Sequence, residues 1–281
     1  LISSLVVIRN YSLFPSVMGD EFIHSLFSRK TEIKEITIPS YLYYFFFKIT
    51  NLCGDEYLNC NRLINYFFFS LGAYLIYLVG KKYSQKSYSI IIFFLILLSP
   101  FNVYTAYFMP EVMYFCFFWI FIYILLSTER SYKNTIFLGV LLGACYLIKP
   151  HALFLLPALI IFLFIFNKNF RNFIENVAIL LFCFFIFKYL ILITIKSDFT
   201  FFGNYYNESA YDYITFNKKD LSIIIKYSLI NLYGIWSYLF IIFGIPIIIC
   251  IKNILDYINK DKNINIKLSI LTILFVASLT I

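Results

Sequence analysis

The strongest constraint on this chain is a succession of apolar runs long enough to cross a bilayer, separated by short loops that carry the charges. A span needs about 20 apolar residues, and it must be helical because lipid offers no partner for a free backbone amide. The lengths of the apolar runs, and the positions of the charged residues between them, predict seven full spans and a partial one at each end. The full spans are predicted at 61–80, 88–104, 111–127, 135–149, 151–166, 173–195 and 222–251.

The composition agrees with a membrane protein. Of the 281 residues, 62% are hydrophobic and 14% are charged, whereas a soluble domain carries roughly 25% charged residues. On a soluble protein the net charge of +8 would suggest nucleic acid, but basic loops that orient helices against an anionic leaflet explain it here. We predict an all-α polytopic integral membrane protein with no nucleic-acid partner.

Both ends of the sequence look cut. Residue 1 is Leu rather than Met, residues 1–8 resemble the last turns of a span, and the apolar stretch 268–281 stops before a full crossing. We therefore expect 1–281 to be a single transmembrane domain truncated at both ends, a fragment of a longer protein.

Alternation of the spans predicts which loops share a side. One set is short and basic, which marks the cytoplasmic face; its members lie around 81–86, 129–133, 168–171 and 252–267. The opposite set includes a first extracytoplasmic loop at 9–60 and an outer loop at 196–221, both richer in Tyr, Asn and acids. We expect the protein to lie in the plasma membrane.

The first outer loop has its own pattern. Residues 22–38 mix charged and apolar side chains, and 41–47 are apolar and aromatic but too short to span. The pattern predicts one or two interfacial helices separated by Pro39, although a loop packed on the bundle would also explain it. Cys53 and Cys60 share this loop and could pair in an oxidising compartment, but sequence alone does not give connectivity.

Charged residues collect at helix ends on the predicted outer face. Because charge at membrane depth is costly, such positions are candidate functional sites. Asp20 and Glu21 follow the first partial span, and four further residues lie where later spans begin or end. The candidates are Asp20, Glu21, Arg62, Glu111, Lys149 and His151, with Lys188 inside an apolar run.

Each candidate also has a structural explanation. The Asp20–Glu21 pair could cap a helix, and Glu111 after Pro110 would complement a helix dipole. The cations, Arg62 among them, could extend to lipid headgroups, and a histidine in a turn is commonly a satisfied polar group. The functional interpretation therefore depends on the whole set.

Such a set is typical of transfer from a phosphate-linked donor. A carboxylate can accept the proton of an attacking hydroxyl, and guanidinium or ammonium groups can hold a phosphate as it leaves. Helix N-termini on the same side would add anion affinity. A lipid-linked donor would explain a site at the bilayer surface.

Four ordered motifs resemble the GT-C glycosyltransferase superfamily, especially the branch of protein O-mannosyltransferases and lipid A aminoarabinose transferases. The motifs are an acidic pair after the first span, a proline-tyrosine segment leading to an arginine, an acid opening a later helix, and a glycine-spaced helix ending in a basic-proline turn. They correspond to Asp20-Glu21, Pro39 to Tyr43 with Arg62, Pro110-Glu111, and Gly139 to Gly143 with Lys149-Pro150-His151.

The resemblance implies a GT-C-like helical bundle that uses a polyprenyl-phosphate-linked sugar. It implies inverting transfer, outside the cytoplasm, to a hydroxyl of an acceptor lipid, glycan or protein. Asp20 would be the base, Glu21 and Glu111 supporting acids, and Arg62 and Lys149 phosphate ligands, with His151 and Lys188 as further substrate contacts. Some relatives hold a divalent metal with these acids and others do not, so a metal cofactor is left open.

Three alternatives are kept. An envelope glycan polymerase would also use a lipid carrier, but it tends to rely on arginines in a late loop, and 196–221 has none. A transporter or flippase would line a path through the bilayer with polar residues, whereas these charges collect at one face. A structural subunit would tolerate alanine at the candidate positions.

Overall fold

A computed structural model describes residues 19–36, 38–127, 132–166, 169–196, 250–252, 269–270 and 272. All regular structure within these ranges is helical, which confirms the all-α prediction. The predicted first partial span, most of the 222–251 span and nearly all of the 196–221 loop lie outside the described residues, as does most of the last partial span.

Eight α-helices carry the described part of the chain. They are α1 (Gly19–Arg29), α2 (Tyr41–Phe47), α3 (Tyr57–Tyr83), α4 (Lys86–Leu97), α5 (Glu111–Ser127), α6 (Tyr132–Ile148), α7 (Leu155–Phe166) and α8 (Phe170–Lys196). Short 3-10 helices occupy Ile33–Glu35, Lys48–Glu56, Pro100–Thr105 and Pro150–Phe154.

Two of these helical stretches are long and apolar enough to cross a membrane. They are the continuous stretch Tyr41–Tyr83 and the helix Phe170–Thr194. Helices α4, α5 and α6 are apolar but shorter. Two short helices, α1 and α2, lie on either side of Pro39, in the segment where the sequence predicted one or two interfacial helices. Their position at the membrane interface stays a prediction.

Helix α4 ends at Leu97, short of the predicted boundary at 104. Pro100 follows closely, and proline disfavours the helical conformation in the residue before it. The amide of buried Asn102 donates to the Leu97 carbonyl at 3.0 Å, and the Ser99 hydroxyl donates to the Ile96 carbonyl at 2.7 Å. These side chains satisfy carbonyls that a continuing helix would have paired.

The chain divides into two compact units. The first comprises Leu1–Pro150 with Ile179–Tyr205, and the second comprises His151–Ala178 with Tyr206–Ile281. In the second unit, α7 contacts the start of α8 through the rings of Phe164 and Phe173, whose centroids are 5.3 Å apart.

In the first unit, α3 packs against both α4 and α5, α5 packs against α6, and α2 packs against α1 and α6. Fully buried aromatic rings fill the space around α2 and the segment before α5. Phe47 has its ring centroid 4.3 Å from that of Tyr43 and 5.7 Å from that of Phe108. The apolar core of this unit therefore reaches the segment that precedes α5.

Helix α6 approaches the second half of α8 at two glycines, a contact called here the glycine contact. A methyl group on Gly139 would lie 2.6 Å from the Leu180 carbonyl oxygen, and one on Gly143 would lie 2.9 Å from the Phe187 ring. Small residues four apart let membrane helices approach closely, so the predicted glycine-spaced helix has a packing role.

A disulfide joins Cys53 to Cys60, the pairing that the sequence left open. It closes a turn in which Gly54 has a φ of 54°, a conformation that glycine adopts without the usual steric cost. The Arg29 guanidinium lies 3.4 Å from the centre of the Tyr57 ring and donates to the Gly54 carbonyl at 3.5 Å. This turn therefore anchors the C-terminal end of α1.

Candidate functional site

The segment at 106–108 is held by the polar first turns of α3. The side-chain amides of Asn61 and Asn65, both fully buried, donate to the Tyr107 carbonyl at 3.0 and 2.8 Å. The Arg62 guanidinium donates to the Ala106 carbonyl at 3.4 Å. Because each bond is to the backbone, the path of this segment depends on the polar start of α3.

The same segment receives the start of α1. The buried Glu21 carboxylate accepts a hydrogen bond from the Phe108 backbone amide at 2.9 Å. A bond to a charged acceptor is stronger than a neutral one, so Glu21 fixes the first turn of α1 firmly. Asp20, its neighbour in the chain, is exposed. The predicted acidic pair is thus divided between a buried anchor and an accessible carboxylate.

An ion pair joins the start of α5 to the end of α6. Lys149 Nζ lies 2.8 Å from Glu111 Oε1, with the side chains 30% and 23% exposed. Lys149 continues the hydrogen bonding of α6, since its amide donates to the Cys145 carbonyl at 2.8 Å. The second carboxylate oxygen of Glu111 is buried and accepts no hydrogen bond from the described residues. The pair keeps one acceptor and one cation in a small volume.

His24 is a site residue that sequence reasoning missed. Its Nδ1 lies 2.8 Å from the Tyr44 hydroxyl, and the two rings stack with centroids 5.7 Å apart. Burial lowers the pKa of His24; Glu111 and Asp20 oppose the shift and Lys149 adds to it. The protonation of His24 is therefore coupled to the charges of both acids and of the lysine. The available signal was its position one helical turn after Asp20.

We call the assembly of Glu21, Asn61, Asn65, Glu111 and Lys149 around the segment 106–111 the polar junction. It brings together three of the predicted site residues, and Asp20 directly precedes Glu21 on α1. Arg62 touches the same segment. Asn61 and Asn65 were not predicted as site residues, and their i, i+4 spacing at the start of α3 was the available signal.

The remaining two candidates lie elsewhere. Lys188 on α8 is 5% exposed, with its Nζ 3.5 Å from the Tyr146 hydroxyl and 4.5 Å from the centre of that ring. Tyr146 precedes Lys149 by one turn of α6, so Lys188 packs on the same helix as the polar junction. His151 is exposed and belongs to the second compact unit.

The acids of the polar junction do not form a ready metal site. Across the described ranges, no group of three or more His, Cys, Asp or Glu side chains could hold a metal ion. Glu21 is occupied by a backbone amide and Glu111 by an ammonium group. The described residues therefore do not fit the divalent cofactor that the sequence left open.

Comparison with known proteins gives one match. The model of the dolichyl-phosphate-mannose-protein mannosyltransferase family matches residues 38–192, more than half of the 281-residue chain. The matched region contains Arg62, Glu111, Lys149, His151 and Lys188, and α1 with its acidic pair precedes it. No curated protein matches the chain significantly, and neither does any solved structure.

Proposed function

We propose that this chain, which belongs to the dolichyl-phosphate-mannose-protein mannosyltransferase family, transfers a sugar from a polyprenyl-phosphate donor to an acceptor hydroxyl on the extracytoplasmic side. Membership confirms the resemblance to GT-C glycosyltransferases and makes the protein a membrane glycosyltransferase that uses a lipid-linked sugar. The observation that carries the finer proposal is the accessible Asp20 carboxylate beside a buried, tethered Glu21.

Asp20 would act as the general base. Its carboxylate takes the proton of the acceptor hydroxyl while the hydroxyl oxygen forms a bond to the anomeric carbon of the sugar. The bond from that carbon to the phosphate oxygen breaks, and the polyprenyl phosphate leaves with the electron pair. Attack opposite the leaving phosphate inverts the anomeric centre. The tether from Glu21 to the Phe108 amide supports this role because it limits the positions that Asp20 can adopt.

Lys149 would hold the donor phosphate. The Lys149 side chain is 30% exposed, and an arriving phosphate can share its ammonium group with Glu111 or replace that carboxylate. A fixed cation beside the leaving oxygen stabilises the charge that develops during transfer. Arg62 remains a predicted phosphate ligand on the same segment, and Lys188 and His151 remain predicted substrate contacts.

The disulfide supports an extracytoplasmic site. Cys53 and Cys60 are paired in the segment that anchors α1, and disulfides persist in oxidising compartments. A loop at 9–60 outside the cytoplasm agrees with the basic loops predicted on the opposite side. Both observations favour acids that face the extracytoplasmic side, and the plasma membrane stays a prediction.

Transfer can be measured in membranes containing the protein and a radiolabelled polyprenyl-phosphate sugar. We expect label to reach an acceptor with the wild type and transfer to fall at least about 1,000-fold with Asp20→Asn, which keeps the shape but removes the base. Asp55→Asn is the matched control, since Asp55 is an exposed aspartate in the loop of the disulfide. Full transfer by Asp20→Asn would rule out Asp20 as base, and no transfer by the folded wild type would rule out the proposed function.

A further inference from the structure

We propose that His24 is a positioning residue for this reaction, holding α1 on α2 so that Asp20 meets the acceptor. The inference deepens the proposed function and rests on it. Three independent contacts fix α1 to the first unit. Glu21 binds the Phe108 amide at one end, Arg29 binds the Gly54 carbonyl at the other, and His24 binds Tyr44 between them.

Several ring contacts support the hydrogen bond between His24 and Tyr44. Tyr44 is fully buried, and its ring stacks on His24 while it meets Phe27 edge-on with centroids 5.7 Å apart. The Tyr43 ring lies edge-on to His24 at 6.0 Å. The bond between His24 Nδ1 and the Tyr44 hydroxyl is 2.8 Å long and part-buried beside these rings, so losing either partner removes a bond from a region with limited access to water. His24 therefore fixes the rotation of α1, which sets where Asp20 points.

The charge state of His24 also matters to the polar junction. The charged groups that influence the protonation of the ring are Asp20 on its own helix, Glu111 at the start of α5 and Lys149 after α6. Its hydrogen-bond partner is the hydroxyl of Tyr44 on α2. When the His24 ring is neutral, the Glu111 carboxylate keeps its ion pair with Lys149. A protonated ring would attract the Glu111 carboxylate, whose buried second oxygen has no hydrogen bond from the described residues, and would repel the Lys149 ammonium.

The direction of the pH dependence follows. Burial lowers the pKa of His24 below its usual 6.5, so the ring is neutral at pH 7 and above. As pH falls below 6.5 and through the pKa of His24, the ring gains its proton and the Glu111–Lys149 pair weakens. Transfer should therefore lose rate through His24 as pH falls.

The test compares kcat and KM across pH for wild type, His24→Asn, His24→Ala and Phe27→Leu in native membranes. Asparagine places a polar atom near the Nδ1 position but does not titrate. We expect kcat of His24→Asn within about 3-fold of wild type at pH 8 and without the acid loss that begins below 6.5. His24→Ala should lose about 10- to 100-fold in kcat at every pH, because misplaced groups cost that much, with donor KM little changed.

Phe27→Leu is the matched control, since it loosens the packing of α1 on Tyr44 without touching the polar bond. Its acid limb should match that of wild type. An acid limb that persists in His24→Asn, or equal kcat in wild type and His24→Ala, would overturn the role of His24 alone. No transfer by wild type would overturn the proposed function and this inference with it, so the two failures are distinguishable.

A second readout does not need turnover. The chain has two histidines, so protein labelled at histidine gives two ring signals, and His24→Asn assigns them. We expect the His24 signal to titrate below 6.5 and its midpoint to move in Tyr44→Phe, which removes the hydroxyl and keeps the ring. A midpoint that Tyr44→Phe leaves unchanged would overturn the pairing on which the inference depends.

Discussion

The polar junction and the glycine contact hold the same unit together by opposite means. In the polar junction, backbone and side-chain groups meet through directional bonds of 2.8 to 3.0 Å, as between Phe108 and Glu21 or Lys149 and Glu111. In the glycine contact, the absence of a side chain at Gly139 and Gly143 permits the close approach of α6 and α8. Polar geometry can orient reacting groups, whereas close packing can only support them.

After the loss of the Asp20 carboxylate, the largest effect should come from breaking the ion pair of the polar junction. We expect Lys149→Met to lower transfer about 100-fold, because the leaving phosphate loses a fixed cation. Glu111→Gln should lose less, about 10-fold, and the double variant should be no worse than Lys149→Met, since the two residues act as one unit. Initial rates of transfer in membranes at fixed protein content give the comparison.

Arg171→Met is the control for that series. Arg171 also forms an ion pair, with Glu175 at 2.9 Å, but its side chain is 89% exposed, and exposed pairs contribute little. Its transfer rate should equal that of wild type. Losses in the Lys149 and Glu111 single variants that multiply in the double variant would show that the two residues do not work together.

The next largest effect should come from breaking the disulfide, which anchors the C-terminal end of α1, while Glu21 near the other end of α1 belongs to the polar junction. We expect the pair of changes Cys53→Ser and Cys60→Ser to lower the free energy of unfolding by about 2 kcal/mol, typical of a short closed loop. Thermal unfolding in detergent measures this loss of stability. Cys145→Ser is the comparison, because it removes the thiol of a buried cysteine that forms no disulfide. Adding reductant to the wild type is a second way to break the bond. An unfolding temperature of the wild type that does not respond to reductant would contradict the anchoring role.

The sequence predicted the helices, and the charged residues at their ends, better than the contacts between helices. Run length and composition sufficed for α3 and α8, because a hydrophobic stretch must be helical in lipid. The Lys149–Glu111 pair joins residues far apart in the chain, and the bond of Glu21 to the Phe108 amide depends on the path of an irregular segment. His24 was missed for the same reason, since its partner Tyr44 lies on another helix.

The smallest effect should come from the glycine contact. Gly139→Ala places a methyl group 2.6 Å from the Leu180 carbonyl oxygen, and overpacking of this kind costs about 1–3 kcal/mol, offset by up to about 1 kcal/mol of helix propensity. We expect a lower unfolding temperature in detergent. Gly19→Ala is the matched control, because nothing lies within 4 Å of the added methyl group. Equal unfolding temperatures for both variants would show that α6 and α8 can separate without cost.

The most direct test of this account measures transfer and unfolding temperature on the same samples of Asp20→Asn and Gly139→Ala. If the polar junction presents the catalytic group and the glycine contact only supports it, Asp20→Asn loses transfer at an unchanged unfolding temperature. Gly139→Ala then unfolds at a lower temperature but transfers at the wild-type rate well below it. Transfer retained by Asp20→Asn, or lost by Gly139→Ala while it remains folded, would contradict the account.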